Sequence, residues 1–184
     1  MTTYVALLRA INLGPTRKLP MGQVKDALAT AGFAGLDTYL ATGNVRLEAP
    51  DGRAADVIRG EVAAALSEAA GFDVPVVLLT ATELREAHTE AHALDDGPAG
   101  EADRRYVAFL PATAADAVRA ELAAWSEEHP GEGAYAGARH LHWWTDGPTT
   151  EAVIFKAATL KRLGIADATS RTLKVVDTLV KKWC

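Results

Sequence analysis

Val5 to Ile11 is an apolar run broken only by Arg9. It is too short for a typical helix and lacks the polar alternation of a half-exposed strand, so it predicts a central strand buried on both faces. A polar loop follows, and Pro20 opens a helix to about Ala31 with Val24, Leu28 and Ala31 on one face and Gly32 just past its end. Leu36 to Ala41 reads as a second strand, and Thr42-Gly43-Asn44 as a tight turn into a third, Val45-Arg46-Leu47. A helix over about Arg53–Ala70, with Val57, Val62 and Leu66 inward, ends at Gly71, and Val74–Leu79 is a fourth strand. Residues 4–80 therefore spell β-α-β-β-α-β, the ferredoxin-like split βαβ order.

The second half carries a similar series. Tyr106–Leu110 reads as a strand, Thr113 caps a helix to about Trp125, and a hairpin around Ala136-Gly137 leads into Arg139–Trp144. Thr149 or Thr150 caps a helix over Glu151–Leu163, closed by Gly164. Ser170 then caps a last helix with Leu173, Val176, Leu179 and Val180 inward, in place of a closing strand. The predicted class is α/β, more narrowly α+β: two ferredoxin-like split βαβ halves, a structural duplication with a helical C-terminal end. The halves are expected over 1–80 and 104–184, joined by a linker at 81–103 and packed as one unit.

Charge and cysteine usage narrow the function. The net charge is −5, and residues 81–133 hold 12 acids against 4 bases, which disfavours a nucleic-acid partner. Residues 151–184 hold 7 bases against 3 acids and offer a surface for anions. The one cysteine, Cys184, permits no internal disulfide, which fits a cytoplasmic protein. No signal peptide is evident, and no apolar stretch approaches the ~18–20 residues of a membrane span. Nothing in the sequence specifies an oligomeric state.

Topology yields a candidate site. In a split βαβ sheet the third strand runs antiparallel between the first and second, so the end of strand one, the turn joining strands two and three, and the start of the first helix share one edge. Asn12, Arg17, Lys18, Thr42, Gly43 and Asn44 converge there. Free N–H groups of the helix start, two cations and several amide or hydroxyl groups suit a phosphate or carboxylate. The plainer reading is a solvated loop and a hairpin turn. Arg9, read as buried inside strand one, is either a structural ion pair or a clamp for a ligand anion. His88 and His92 stand at helical spacing, and His140 and His142 share a strand face, but the His-Glu-x-x-His order is not met; neither a metal nor a cofactor is expected. Cys184 is too terminal for a nucleophile, and the edge has no carboxylate or histidine for acid–base work, so catalytic residues stay unassigned.

The run Ala6-Leu7-Leu8-Arg9-Ala10-Ile11-Asn12-Leu13-Gly14, followed by Met21, Gly32-Phe33 and Thr38-Tyr39-Leu40-Ala41-Thr42-Gly43-Asn44-Val45, resembles the bacterial family called domain of unknown function 1697. Gly71-Phe72-Asp73-Val74-Pro75-Val76 and Thr169-Ser170-Arg171 are similar to it as well. The chain departs from the family at Ala10 and Pro15, where glycine is usual, and at Thr172-Leu173, where the family shows Asn-Trp. The resemblance implies a duplicated α/β fold without an agreed activity, and marks Arg9, Asn12, Thr42, Gly43, Asn44 and Arg171 as motif positions. Arg171 and Lys174 would then complete the pocket. The leading expectation is a small-ligand binder or enzyme with an anion site at the N-terminal edge. The alternatives are a nucleic-acid-binding ferredoxin-like module and a protein-interaction scaffold.

Overall fold

The N-terminal apolar run is a strand, but it stops before Arg9. In the structure, a computed structural model that describes residues 1–129 and 131–184, β1 covers Thr2–Leu8. It is followed by α1 (Met21–Thr30), β2 (Ala34–Tyr39), β3 (Asn44–Ala49), α2 (Ala55–Ala70) and β4 (Val76–Thr80). The sheet order is β2-β3-β1-β4, every neighbouring pair antiparallel, which is the ferredoxin-like arrangement. Tyr4, Ala6 and Leu8 alternate along β1 and meet Val45, Leu47 and Ala49 of β3 in one core with Val24 and Leu28 of α1. From α2 the stripe is Ile58, Val62 and Leu66, each fully buried and four residues apart. Val57, expected inward, is 53% exposed, because the i, i+4 stripe that contains Val62 and Leu66 passes through position 58. Ala31 is the exposed C-cap of α1, not a core residue.

Segment 81–103, read as a linker, is largely helical. α3 covers Ala81–Ala93 and a single turn, α4, covers Pro98–Glu101. α3 starts on a capping box: the Glu83 amide donates to Thr80 Oγ1 at 3.1 Å and the Thr80 amide donates to Glu83 Oε2 at 2.8 Å. Leu84, Ala87 and Ala91 form its buried stripe.

Beyond it lie β5 (Arg104–Phe109), α5 (Asp116–Glu128), β6 (Glu132–Ala136), β7 (His140–Thr145), a 3-10 turn over Val153–Phe155, α6 (Ala157–Arg162), β8 (Thr169–Thr172) and α7 (Leu173–Trp183). The order β6-β7-β5-β8 repeats that of the first sheet, again antiparallel throughout. The duplication is therefore fuller than expected. Ser170 lies inside a closing strand, and Thr172 is the cap of α7, accepting from the Val175 amide. Thr113, Thr149 and Thr150 cap no helix: α5 begins after Ala115 and α6 after Lys156, both without side-chain caps. Glu132 instead accepts from the amides of Val153 (2.9 Å) and Ile154 (3.3 Å) at the 3-10 turn.

The chain divides into two compact units, Met1–Leu84 with Trp183 and Arg85–Lys182 with Cys184. Among the described residues no helix is long and apolar enough to cross a membrane.

Candidate functional site

The strand order brings the end of β1 to the β2–β3 turn. The Leu8 amide donates to the Gly43 carbonyl at 2.8 Å, and Asn12 Nδ2 donates to the Ala41 carbonyl at 2.7 Å. The corner's side chains are used on the backbone. Asn12, at φ +54°, also donates to the Leu19 carbonyl (3.1 Å) and accepts the Leu19 amide (2.9 Å), which closes the loop from both ends. Arg17 donates to the Ala10 carbonyl (2.6 Å) and the Asp73 carbonyl (2.5 Å), with its guanidinium 4.5 Å from the Phe72 ring centre. Asn44, fully buried, donates to the Tyr39 carbonyl (2.7 Å) and to Thr42 Oγ1 (3.2 Å). Gly43 has φ +82°, and a Cβ there would lie 2.6 Å from Leu8 Cβ and 2.8 Å from Ile11 Cδ1. Lys18 and Thr42 are exposed.

Arg9 is not inside β1. It follows the strand, half-buried, and its amide donates to the Pro75 carbonyl at 3.0 Å. Arg171 belongs to β8 in the second unit, 8% exposed, where it donates to Thr169 Oγ1 and the Ser170 carbonyl, both at 2.9 Å. Burial pushes its pKa down to about 10, so it stays cationic at neutral pH.

Asn12 and Arg17 thus hold the corner's shape. Arg17→Ala is expected to lower stability by about 1–3 kcal/mol with no ligand present, because the Ala10 and Asp73 carbonyls lose a charged donor. Urea unfolding measures this; an unchanged midpoint would show the guanidinium to be a loose surface group.

Two further groups of polar side chains assemble within the second unit. On one face of α3, His88 Nε2 and His92 Nε2 lie 3.2 and 2.9 Å from Asp177 Oδ1 of α7. Asp177 and Asp95, both hydrogen-bonded to His92, raise its pKa. Elsewhere on α3, Glu90 reaches β7: its Oε2 lies 2.9 Å from His140 Nε2 and 3.8 Å from His142 Nε2. His140 and His142 are two residues apart on the strand, so they share a face. Both are buried, and neither ring nitrogen of His142 has a hydrogen-bond partner. An unsatisfied buried polar group costs about 1–3 kcal/mol. Burial, then the charges of His140 and Arg105, push the His142 pKa down to about 3, so the ring is neutral.

At the start of α7 a cleft of about 450 Å³ opens, lined among others by Arg104, Arg105, Tyr106, Thr172, Lys174 and Asp177. Arg105 is occupied by Asp95 (2.5 Å) and by the Ala91 carbonyl, and Arg104 by the Gly147 carbonyl. Lys174 is exposed, and the first turn of α7 carries no acidic residue.

The sequence pattern of a family described as "Protein of unknown function (DUF1697)" matches residues 1–141. The chain belongs to that family. The DUF1697 match takes in the corner, Glu90 and His140, and ends before His142, Arg171 and Asp177. No curated protein matches the chain. A solved structure described as a conserved bacterial protein from Streptococcus pneumoniae is 21% identical over 98% of this chain and 97% of its own, with a TM-score of 0.74. At that identity it shares the DUF1697 fold and carries no statement of activity.

The strand-order argument found the corner, but sequence alone did not show that its side chains face the backbone. Glu90 and Asp177 were missed as partners of the histidines. The signal for them was faint: a histidine pair at helical spacing with Glu90 between, and the His-x-His of β7.

Proposed function

We propose that this DUF1697 protein binds a small anionic ligand, and that the cleft at the start of α7 receives it. One observation carries the reading: a 450 Å³ cleft, within the size range of metabolite pockets, has Lys174 and the residues that open α7, Thr172 and Leu173, on its wall. Thr172 Oγ1 accepts the Val175 amide, and the earlier amides of the turn have no intrahelical partner. Arg104, held by the neutral Gly147 carbonyl, adds a fixed positive charge, whereas that of Arg105 is offset by Asp95. The cleft also contains Asp103 and Asp177, which favours an anion with hydroxyl groups to donate over a bare phosphate.

The corner is the second reading. α1 starts at Pro20 with no side-chain cap and no acid in its first turn, and Lys18 stands beside it. Thermal shift with a panel of mono- and diphosphorylated metabolites and carboxylates at low salt separates the two sites, since ligand bound to the folded state raises Tm by mass action. Lys174→Ala should abolish the shift if the cleft binds, and Lys18→Ala if the corner does. Both lysines are exposed, so unliganded Tm should stay within about 1–2 °C of wild type. No shift across the panel, or an equal shift in both variants, would remove the anion reading.

A further inference from the structure

Glu90, His140 and His142 form a closed triangle of ligand atoms, all within 4.8 Å of one another. Its 2.9 and 3.8 Å edges bracket the spacing of a metal polyhedron: ligands about 2.0–2.1 Å from a tetrahedral ion sit about 3.4 Å apart. The Glu90 side chain, 41% exposed, has room to turn and even out the two distances. Three independent features mark the triangle as built. His142 is 97% buried, yet neither of its nitrogens makes a hydrogen bond. His140 and His142 are placed by strand alternation, which holds both rings on the face to which Glu90 reaches. Opposite them, residue 137 is glycine, and a Cβ there would lie 2.2 Å from His140 Nε2 and 2.7 Å from Glu90 Oε2. Any other residue would fill the space in which the groups meet.

We propose that Glu90, His140 and His142 form a binding site for one divalent transition-metal ion of the zinc type, with three protein ligands and one position left for water or another small ligand. Two imidazoles and a carboxylate, with no thiolate, suit Zn²⁺, Co²⁺ and Ni²⁺ over Ca²⁺ or Mg²⁺, which prefer oxygen alone. The site lies apart from the anion reading and does not rest on it. The neighbouring His88–His92–Asp177 group is the internal competitor. It is more exposed, and its histidines are already paired with Asp177 and, at His92, Asp95.

The test uses full-length protein treated with chelator and dialysed. Zn²⁺ binding is followed by calorimetry, and Co²⁺ binding by visible absorption. Wild type should bind one equivalent, with the Co²⁺ spectrum of a low-coordinate nitrogen–oxygen site. Glu90→Gln keeps the side-chain volume at a position 41% exposed, so it should fold, and should weaken binding by about 100-fold or more. His142→Gln should do the same where it folds, with circular dichroism as the check. The double variant His88→Ala/His92→Ala should bind as wild type does. The proposal is overturned if wild type takes up no ion at 100 µM (about a hundred times a micromolar Kd). Glu90→Gln binding within a few-fold of wild type overturns it too, as does loss of the ion in the His88/His92 variant.

Discussion

Gly43→Ala should lower the stability of this protein by about 2–5 kcal/mol, with a fall in Tm of about 5–15 °C. Two separate causes add. At φ +82° an L side chain is strained by about 1–2 kcal/mol. The new methyl would also sit 2.6 Å from Leu8 Cβ and 2.8 Å from Ile11 Cδ1. Leu8 Cβ moves only with the backbone of β1, which the Gly43 carbonyl ties down through the Leu8 amide. Gly52→Ala separates the causes. Gly52 has φ +80° but nothing within 4 Å of its missing Cβ, so it pays the backbone strain alone. Urea denaturation of both variants should place Gly43→Ala below Gly52→Ala by more than about 1 kcal/mol. Equal losses would mean that the turn shifts away from β1 at little cost, and that the corner is less rigid than its hydrogen bonds imply.

That corner shows which parts of the molecule are legible in the sequence. The first sheet is legible because its elements obey simple periods. Tyr4–Leu8 of β1 and Val76–Leu79 of β4 are unbroken apolar runs, α1 and α2 carry apolar residues at helical spacing, and Gly32 and Gly71 mark helix ends at positive φ. β8 is not legible, because its inward positions are Thr169 and Arg171 and a four-residue strand has no room for a pattern. α3 was masked by composition: two of its three buried residues are alanines, and the neighbouring acids suggest solvent. Thr80-x-x-Glu83 was the overlooked signal. For the site, strand order sufficed to bring Asn12 to the Thr42–Asn44 turn. Whether Asn12, Arg17 and Asn44 face a ligand or a carbonyl depends on side-chain direction, which no period encodes. The histidine groups have the opposite history. Their spacing was visible, but Glu90 meets a residue 50 positions away and His92 one 85 positions away.

Gly137→Ala should cost about 1–3 kcal/mol by a different physical route, and the route can be isolated. Gly137 does not require positive φ, so alanine meets no backbone penalty there. The cost is steric, because the methyl would fall 2.2 Å from His140 Nε2, 2.6 Å from His140 Cε1 and 2.7 Å from Glu90 Oε2. Glu90 can retreat, since its side chain is 41% exposed. His140 cannot, because its ring is 6% exposed and its carbonyl accepts the Gly137 amide at 2.9 Å. The penalty should therefore depend on the His140 ring. In a double-mutant cycle measured in chelator, Gly137→Ala in a His140→Ala background should lose at least half of its cost, a coupling of about 0.5–2 kcal/mol. The variant also breaks the 2.9 Å contact between His140 and Glu90 that any ion in the triangle would span. Zn²⁺ affinity should then fall together with stability in Gly137→Ala, whereas Gly133→Ala, whose methyl meets the Trp144 ring instead, should lose stability and keep its Zn²⁺ affinity. A Gly137→Ala protein as stable as wild type would show that the hairpin opens freely at this point. The His140–Glu90 contact would then be one that does not need a glycine at position 137.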